Sequence, residues 1–188
     1  MNFRLIACAC LLLSGNAAAL ELQSVLERTM VTPPARVGFR EERHNEMFAE
    51  PLRLEGFLEY LENGELRKVI EVPFEESFHV RSDRVEIERA GEVQTLPINK
   101  SRALKIMLGG IEAILAGQTD RIEKVFDYEL SGAESDWSLQ LTPRSRRVAK
   151  QLTGLTVTGD TEVITGIRIE LSGGEWHQME LLQEPASQ

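Results

Sequence analysis

Histidine is the side chain best suited to acid–base chemistry near neutral pH, and this chain has three histidines. His44, His79 and His177 are widely spaced, and none lies in a metal-binding or metalloprotease motif. The sequence also lacks a nucleophile elbow and a glycine-rich phosphate loop. We therefore expect the histidines at the surface or in strands with their hydrogen bonds satisfied, and we predict no metal site.

Clusters of charged residues offer a second route to chemistry. Two carboxylates can act as an acid–base pair, but Glu41-Glu42 and Glu75-Glu76 are interpreted as solvated strand edges or turns. A basic stretch at 144–150 predicts a short helix with a solvated basic face; it contains Arg144, Arg146, Arg147 and Lys150. We therefore predict neither catalysis nor a cofactor.

Both cysteines, Cys8 and Cys10, lie in a segment with the features of a secretory signal peptide. Arg4 precedes an apolar run over residues 5–13, and Ala17-Ala18-Ala19 supplies an Ala-x-Ala cleavage site. The run is too short to span a bilayer, which needs about 20 residues. Cleavage after Ala19 predicts a soluble periplasmic protein without disulfides.

The remaining length and charge limit the function further. Residues 20–183 are predicted to form a single domain and residues 184–188 a disordered tail. The formal net charge is -9, and no block rich in lysine or arginine offsets it. Nucleic acid is therefore not an expected partner, since phosphate binding needs concentrated positive charge.

Apolar spacing predicts a helix at the start and a series of strands after it. Residues 20–30 have helical amphipathic spacing, and Pro33-Pro34 ends that helix. Between residues 36 and 98, alternating apolar and polar residues predict an antiparallel meander with one solvated face. Asn63-Gly64 marks a hairpin turn within the meander.

A long apolar helix is predicted between residues 101 and 117. Ser101 is a suitable N-cap and Gly117 a suitable C-cap. Gly109-Gly110 lies in its middle and predicts a kink, a break into two helices, or close packing against another backbone. Strands are predicted again over 125–130, 137–141, 152–157, 162–171 and 175–182.

An apolar sheet face covered by an apolar helix allows two interpretations. The face can close into an ordinary core, or it can enclose a dry cavity for an apolar ligand. The pattern by itself favours the core.

Five short motifs resemble a known family: Phe39-Arg40-Glu41, Gly56-Phe57-Leu58-Glu59-Tyr60, Val80-Arg81-Ser82-Asp83, Trp137-Ser138-Leu139-Gln140-Leu141-Thr142-Pro143 and Gly166-Ile167-Arg168-Ile169. With the order of elements, they resemble the LolA-like family of periplasmic outer-membrane lipoprotein carriers. The resemblance implies an α+β fold, an incomplete, half-open antiparallel β-barrel. An N-terminal helix and a central helical lid would cover an apolar cavity.

The resemblance also implies a function in outer membrane biogenesis. The protein would act as a monomeric carrier chaperone that binds the acyl chains of a lipoprotein or another lipid. It would meet an inner-membrane donor and an outer-membrane acceptor. The candidate ligand-binding residues are Phe39, Leu58, Tyr60, Phe78, Val80, Leu104, Met107, Leu108, Ile111, Leu115, Trp137, Leu139 and Leu141.

One departure from the family pattern predicts a divergent member. Standard members carry Arg-Pro after the second large strand, where that arginine helps to hold the lid closed, whereas this chain has Asn63-Gly64-Glu65 there. The cargo could then be another lipid or an apolar small molecule. The alternative is a periplasmic protein-interaction or assembly scaffold on the same fold, with a filled interior and an apolar patch outside.

Overall fold

The computed structural model describes residues 20–183, which form three α-helices and one eleven-stranded sheet. The helices are α1 (Leu22–Arg28), α2 (Arg102–Leu115) and α3 (Thr119–Val125). The strands are β1 (Ala35–His44), β2 (Leu52–Tyr60), β3 (Leu66–Val72), β4 (Glu76–Val80), β5 (Arg84–Arg89), β6 (Glu92–Pro97), β7 (Phe126–Ala133), β8 (Asp136–Pro143), β9 (Leu152–Asp160), β10 (Val163–Leu171) and β11 (Trp176–Leu182). The predicted signal peptide and C-terminal tail lie outside the described residues.

The sheet is antiparallel throughout, and its first and last strands meet in its middle. The strand order is β6-β5-β4-β3-β2-β1-β11-β10-β9-β8-β7. Strand β1 pairs with β11, with Gly38 opposite Leu182. Strands β6 and β7 are the two edges and do not pair with each other within residues 20–183, so the barrel is not closed. The predicted incomplete antiparallel barrel with helices is confirmed.

The predicted turn and helix caps are present. Gly64 has a φ of 78°, a left-handed conformation that glycine adopts without steric cost. The Ser101 side chain accepts a hydrogen bond of 3.2 Å from the Leu104 amide at the start of α2. Gly117, with a φ of 65°, follows the end of the helix.

Helix α2 connects the two edge strands and runs without a break through Gly109-Gly110. Gly110 lies against Phe126, where an added Cβ would lie 2.8 Å from the ring carbon Cε2. Gly109 faces open space, with the nearest atom, an Arg121 guanidinium nitrogen, at 3.9 Å. None of the three structures that the glycine pair predicts is found as stated: a close approach occurs only at Gly110, and it is to the Phe126 side chain and not to another backbone.

The larger apolar core lies between the three helices and strands β7–β10. Its fully buried side chains include Phe126, Trp137, Leu139, Leu141 and Leu155. A smaller core lies on β1, β2, β3 and β11 and consists of Phe39, Leu54, Ile70 and Met179. No helix among residues 20–183 is both long enough and apolar enough to cross a membrane.

Two elements differ from the sequence prediction. Helix α3 was not predicted, because Ile122 is its one fully packed apolar side chain and seven residues are too few for a clear period. Residues 146–151 form a turn instead of the predicted helix. Val148 is buried there, so packing of this side chain holds the segment without regular helix.

Candidate functional site

A cavity of about 660 Å³ lies between the inner face of the sheet and helix α2. Side chains from β1–β6, β10 and β11 form one wall, and α2 forms the roof. The lining is predominantly apolar. Its volume falls within the range of about 300–1,000 Å³ that is typical of small-molecule sites.

The pairing register brings the apolar residues of the sheet wall together in rows. Tyr60 lies opposite Leu66, Leu66 opposite Val80, and Val80 opposite Val85, across strands β2 to β5. All four side chains line the cavity. Because successive side chains alternate between the two sheet faces, in-register pairing makes a continuous apolar surface.

The roof comes from one face of α2. Its large apolar side chains at helical spacing point into the cavity: Leu104, Met107, Leu108, Ile111 and Leu115. Small side chains dominate the opposite, buried face, at Ala103, Gly110 and Ala113. The helix is apolar nearly all round because it contacts the packed core on one side and the cavity on the other.

Nine of the thirteen candidate ligand-binding residues line this cavity: Leu58, Tyr60, Phe78, Val80, Leu104, Met107, Leu108, Ile111 and Leu115. The other four do not line it, contrary to the prediction. They are fully buried in the two cores: Phe39, Trp137, Leu139 and Leu141. Trp137, Leu139 and Leu141 share one buried cluster with side chains of all three helices, while Lys68 lies over the Phe39 ring at 4.8 Å from its centroid. These four side chains therefore pack against protein.

A charged cluster interrupts the apolar wall, with members on β11, on the neighbouring strand β1 and on β3, which lies beyond β2. Its members are Glu41, Arg43, Lys68 and His177, and all four line the cavity. The Glu41 carboxylate accepts hydrogen bonds from Arg43 Nε at 3.1 Å and from the Lys68 ammonium. His177 Nδ1 lies 3.6 Å from the same carboxylate. Only 3% of Glu41 is exposed.

Burial and mutual contact shift the protonation equilibria of this cluster. Burial raises the pKa of Glu41, but the adjacent Lys68 and Arg43 outweigh it and hold that pKa below its usual value. Burial lowers the pKa of Lys68 to about 8, against the opposing effect of Glu41. Burial and Arg43 lower the pKa of His177. At neutral pH, Glu41 and Lys68 are charged and His177 is neutral.

The interpretation of Glu41-Glu42 as a solvated edge is wrong for Glu41. Position 41 has the same parity along β1 as Val37 and Phe39, which face the interior. Lys68 likewise shares the inward parity of Leu66 and Ile70 on β3. A charged residue at an inward position was therefore the signal for this cluster in the sequence.

The other two histidines lie in strands and have neighbours there. His79 Nε2 lies 2.7 Å from a Glu65 carboxylate oxygen. The His44 ring stacks on Trp176 with centroids 5.5 Å apart. Neither histidine lines the cavity.

Comparison with known proteins gives a family-level match. A family model described as outer membrane lipoprotein carrier protein LolA-like matches residues 14–187. No curated protein sequence matches the chain.

Solved structures resemble the chain at low sequence identity. The LolA superfamily protein NE2245 from Nitrosomonas europaea is 11% identical, with 88% of this chain and 93% of that chain covered and a TM-score of 0.44. The Mycobacterium tuberculosis lipoprotein LppX is 11% identical, with 88% of this chain and 94% of that chain covered and a TM-score of 0.44. The Pseudomonas aeruginosa MucA/MucB complex contains a chain that is 12% identical, with 86% of this chain and 54% of that chain covered and a TM-score of 0.40.

Proposed function

The chain belongs to the LolA-like family of outer membrane lipoprotein carrier proteins, and on that basis we propose that it is a periplasmic carrier. It binds the acyl chains of a lipoprotein or another lipid and carries this cargo toward the outer membrane. Export would remove the signal peptide after Ala19. The protein would receive its cargo from an inner-membrane donor and pass it to an outer-membrane acceptor.

The apolar cavity under α2 is the observation that supports this proposal. Each methylene group removed from water contributes about 0.8 kcal/mol, so an acyl chain gains substantially by entering such a space. This role requires binding and release alone.

Release of the cargo would require the roof to move. Helix α2 contributes five large apolar side chains to the cavity, so its displacement would expose a bound chain to water or to an acceptor. Lid movements of this kind gate many binding sites. Gly109 and Gly110 remain the candidate hinge for that movement.

Native mass spectrometry of the protein purified from its own periplasm, followed by organic extraction, tests the proposal. We expect a bound lipid or lipoprotein, together with a protein mass that corresponds to cleavage after Ala19. An empty protein that also fails to bind a fluorescent fatty acid would contradict the carrier function. That result would instead favour a protein-interaction scaffold.

A matched pair of tryptophan substitutions locates the binding site. Leu108→Trp places a larger side chain in the roof of the cavity, whereas Val93→Trp adds the same bulk on edge strand β6, where Val93 is 64% exposed. We expect Leu108→Trp to reduce binding of the fluorescent fatty acid at least tenfold and Val93→Trp to leave it unchanged. Equal binding by both variants would place the ligand outside the cavity.

A further inference from the structure

The charges that line the cavity do not balance. Among the lining residues on the strands, the charged side chains with inward parity are Arg43 and Lys68 against Glu41. Arg36, Glu59 and Arg67 have outward parity and pair with one another, and Glu162 lies in the exposed turn between β9 and β10. The inward-facing charge of the lining is therefore net positive, although the whole chain has a formal net charge of -9. A positive excess in the cavity of an acidic protein indicates a specific electrostatic role for the cavity.

The excess lies in the cluster around the buried Glu41 carboxylate. Arg43 and Lys68 carry two positive charges and share the single buried carboxylate of Glu41, while His177 is neutral. Outside the lining, the Glu76 carboxylate on β4 also acts on Lys68, but it lies 3.9 Å from the Arg89 guanidinium. A purely structural ion pair would need one cation for each carboxylate, and this cluster has one cation more.

Hydrogen-bonding capacity remains for a ligand. The Lys68 ammonium has three N–H donors, and among residues 20–183 Glu41 is its one hydrogen-bond acceptor. Arg43 directs Nε and Nη2 to Glu41, which leaves the donors of Nη1. Both side chains line the cavity, and Lys68 lies directly between the apolar residues Leu58 and Phe78 on the neighbouring strands. The wall therefore combines apolar surface with donors for an anion.

We infer that the cavity selects amphiphiles with one anionic head group, a carboxylate or a phosphate, which Lys68 and Arg43 bind while the chain lies under α2. This inference rests on the proposed carrier function and specifies the chemical class of the cargo. Glu41 holds the two cations in place and limits their excess to one charge, so a single anion neutralises the cluster. Neutralisation matters because an uncompensated buried charge is costly.

Three probes with the same sixteen-carbon chain test the inference: palmitate, hexadecyl phosphate and hexadecanol. Their affinities are measured at pH 7 by displacement of a fluorescent fatty acid. We expect the preferred anion to bind about tenfold more tightly than hexadecanol, which corresponds to one charge-assisted hydrogen bond. The tighter of the two anions identifies the head group. Inorganic phosphate should bind far more weakly than hexadecyl phosphate, and comparable binding would overturn an amphiphile site.

Two variants should move this preference in opposite directions. Lys68→Met removes the excess charge, so the ratio of anion to alcohol affinity should fall toward one while hexadecanol binding persists. Glu41→Gln leaves both cations without their carboxylate, so the ratio should rise. Arg53→Met, which removes a largely exposed cation that does not line the cavity, should leave the ratio unchanged.

The outcomes separate the two proposals. If none of the three probes binds to the wild-type protein, the carrier function itself is contradicted. If all three bind with equal affinity, or if Lys68→Met leaves the preference unchanged, the head-group inference is overturned and the carrier function stands. Because each variant is judged by a ratio between two ligands, partial unfolding of a variant does not imitate either result.

Discussion

The two sides of the sheet have the same alternation of apolar and polar residues, but they bury their apolar faces in different ways. In strands β7–β9, which we call the packed half, Leu139 and Leu141 are fully buried in one cluster with side chains of the helices. In strands β1–β6, which we call the open half, Leu58 and Phe78 are half-buried on a cavity wall. An inward-facing apolar residue therefore becomes core or lining according to what lies over it.

Helix α2 produces this difference because its two faces carry side chains of different size. Gly110 and Ala113 let it approach the packed half closely, and Gly110 lies against Phe126. Leu108 and Ile111 extend from the other face over the open half. One helix thus completes a core on one side and covers a cavity on the other.

Alanine substitutions at two leucines, one in the packed half and one in the roof over the open half, should give the largest difference in the free energy of unfolding. Leu139→Ala leaves a void in a close-packed core and should lower the free energy of unfolding by about 2–5 kcal/mol. Leu108→Ala enlarges a space that already exists, and alanine favours helix, so we expect a loss of about 1 kcal/mol. Urea denaturation of both variants measures the difference. Equal losses would mean that the open half is packed as tightly as the other half.

Replacing each of the two neighbouring glycines of α2 by alanine should change the stability of the protein in opposite directions. Gly110→Ala forces a methyl group against the Phe126 ring, so it should destabilise the protein by about 1–3 kcal/mol. Gly109→Ala meets open space and gains helix propensity, so it should stabilise by about 1 kcal/mol. Thermal unfolding of the two variants provides the comparison. Destabilisation by Gly109→Ala would show that position 109 is also closely packed.

Raising the pH should stabilise the wild-type protein through Lys68 in the open half. Its pKa is about 8 in the folded protein against 10.5 in the unfolded chain, so between these values the unfolded state binds more protons. The free energy of unfolding should therefore rise with pH, by at most about 1.4 kcal/mol per unit. The pKa values of Glu41 and His177, which face Lys68, are lowered from their usual values and lie below this range. The other charged groups near Lys68 are Arg43 and Glu76.

Lys68→Met provides the reference for this measurement. It removes the titrating group, so the difference in stability between wild type and variant should change from pH 8 to pH 10. A constant difference would show that Lys68 keeps an ordinary pKa and is less buried than the structure indicates.

The smallest effect should come from an apolar residue that belongs to neither half. Met47, in the connection between β1 and β2, is 84% exposed. Met47→Ser should change the free energy of unfolding by less than about 0.5 kcal/mol, as is usual for surface sites. A larger loss in urea denaturation would indicate that this connection packs against the sheet.

The sequence predicted the strands, the long helix and its caps because alternation, helical spacing and turn residues are local signals. It could not separate Leu58 from Leu139, since both are inward-facing leucines and only the distant helix α2 distinguishes their surroundings. Glu41 was misassigned because a pair of adjacent glutamates normally marks a solvated edge. Its burial depends on Lys68, two strands away, and no local pattern reports that pairing.

The pairing of β1 with β11 joins the first and the last strand of the sheet in chain order. Strands β1–β6 can pair through short hairpins as they emerge, yet the Gly38 side of β1 has no neighbour until Leu182 arrives. Closing so long a loop is entropically costly and slows folding. Until then, β1 presents an unpaired edge that can join other chains. One edge of β1 therefore depends on a strand from the far end of the described chain for its backbone hydrogen bonds.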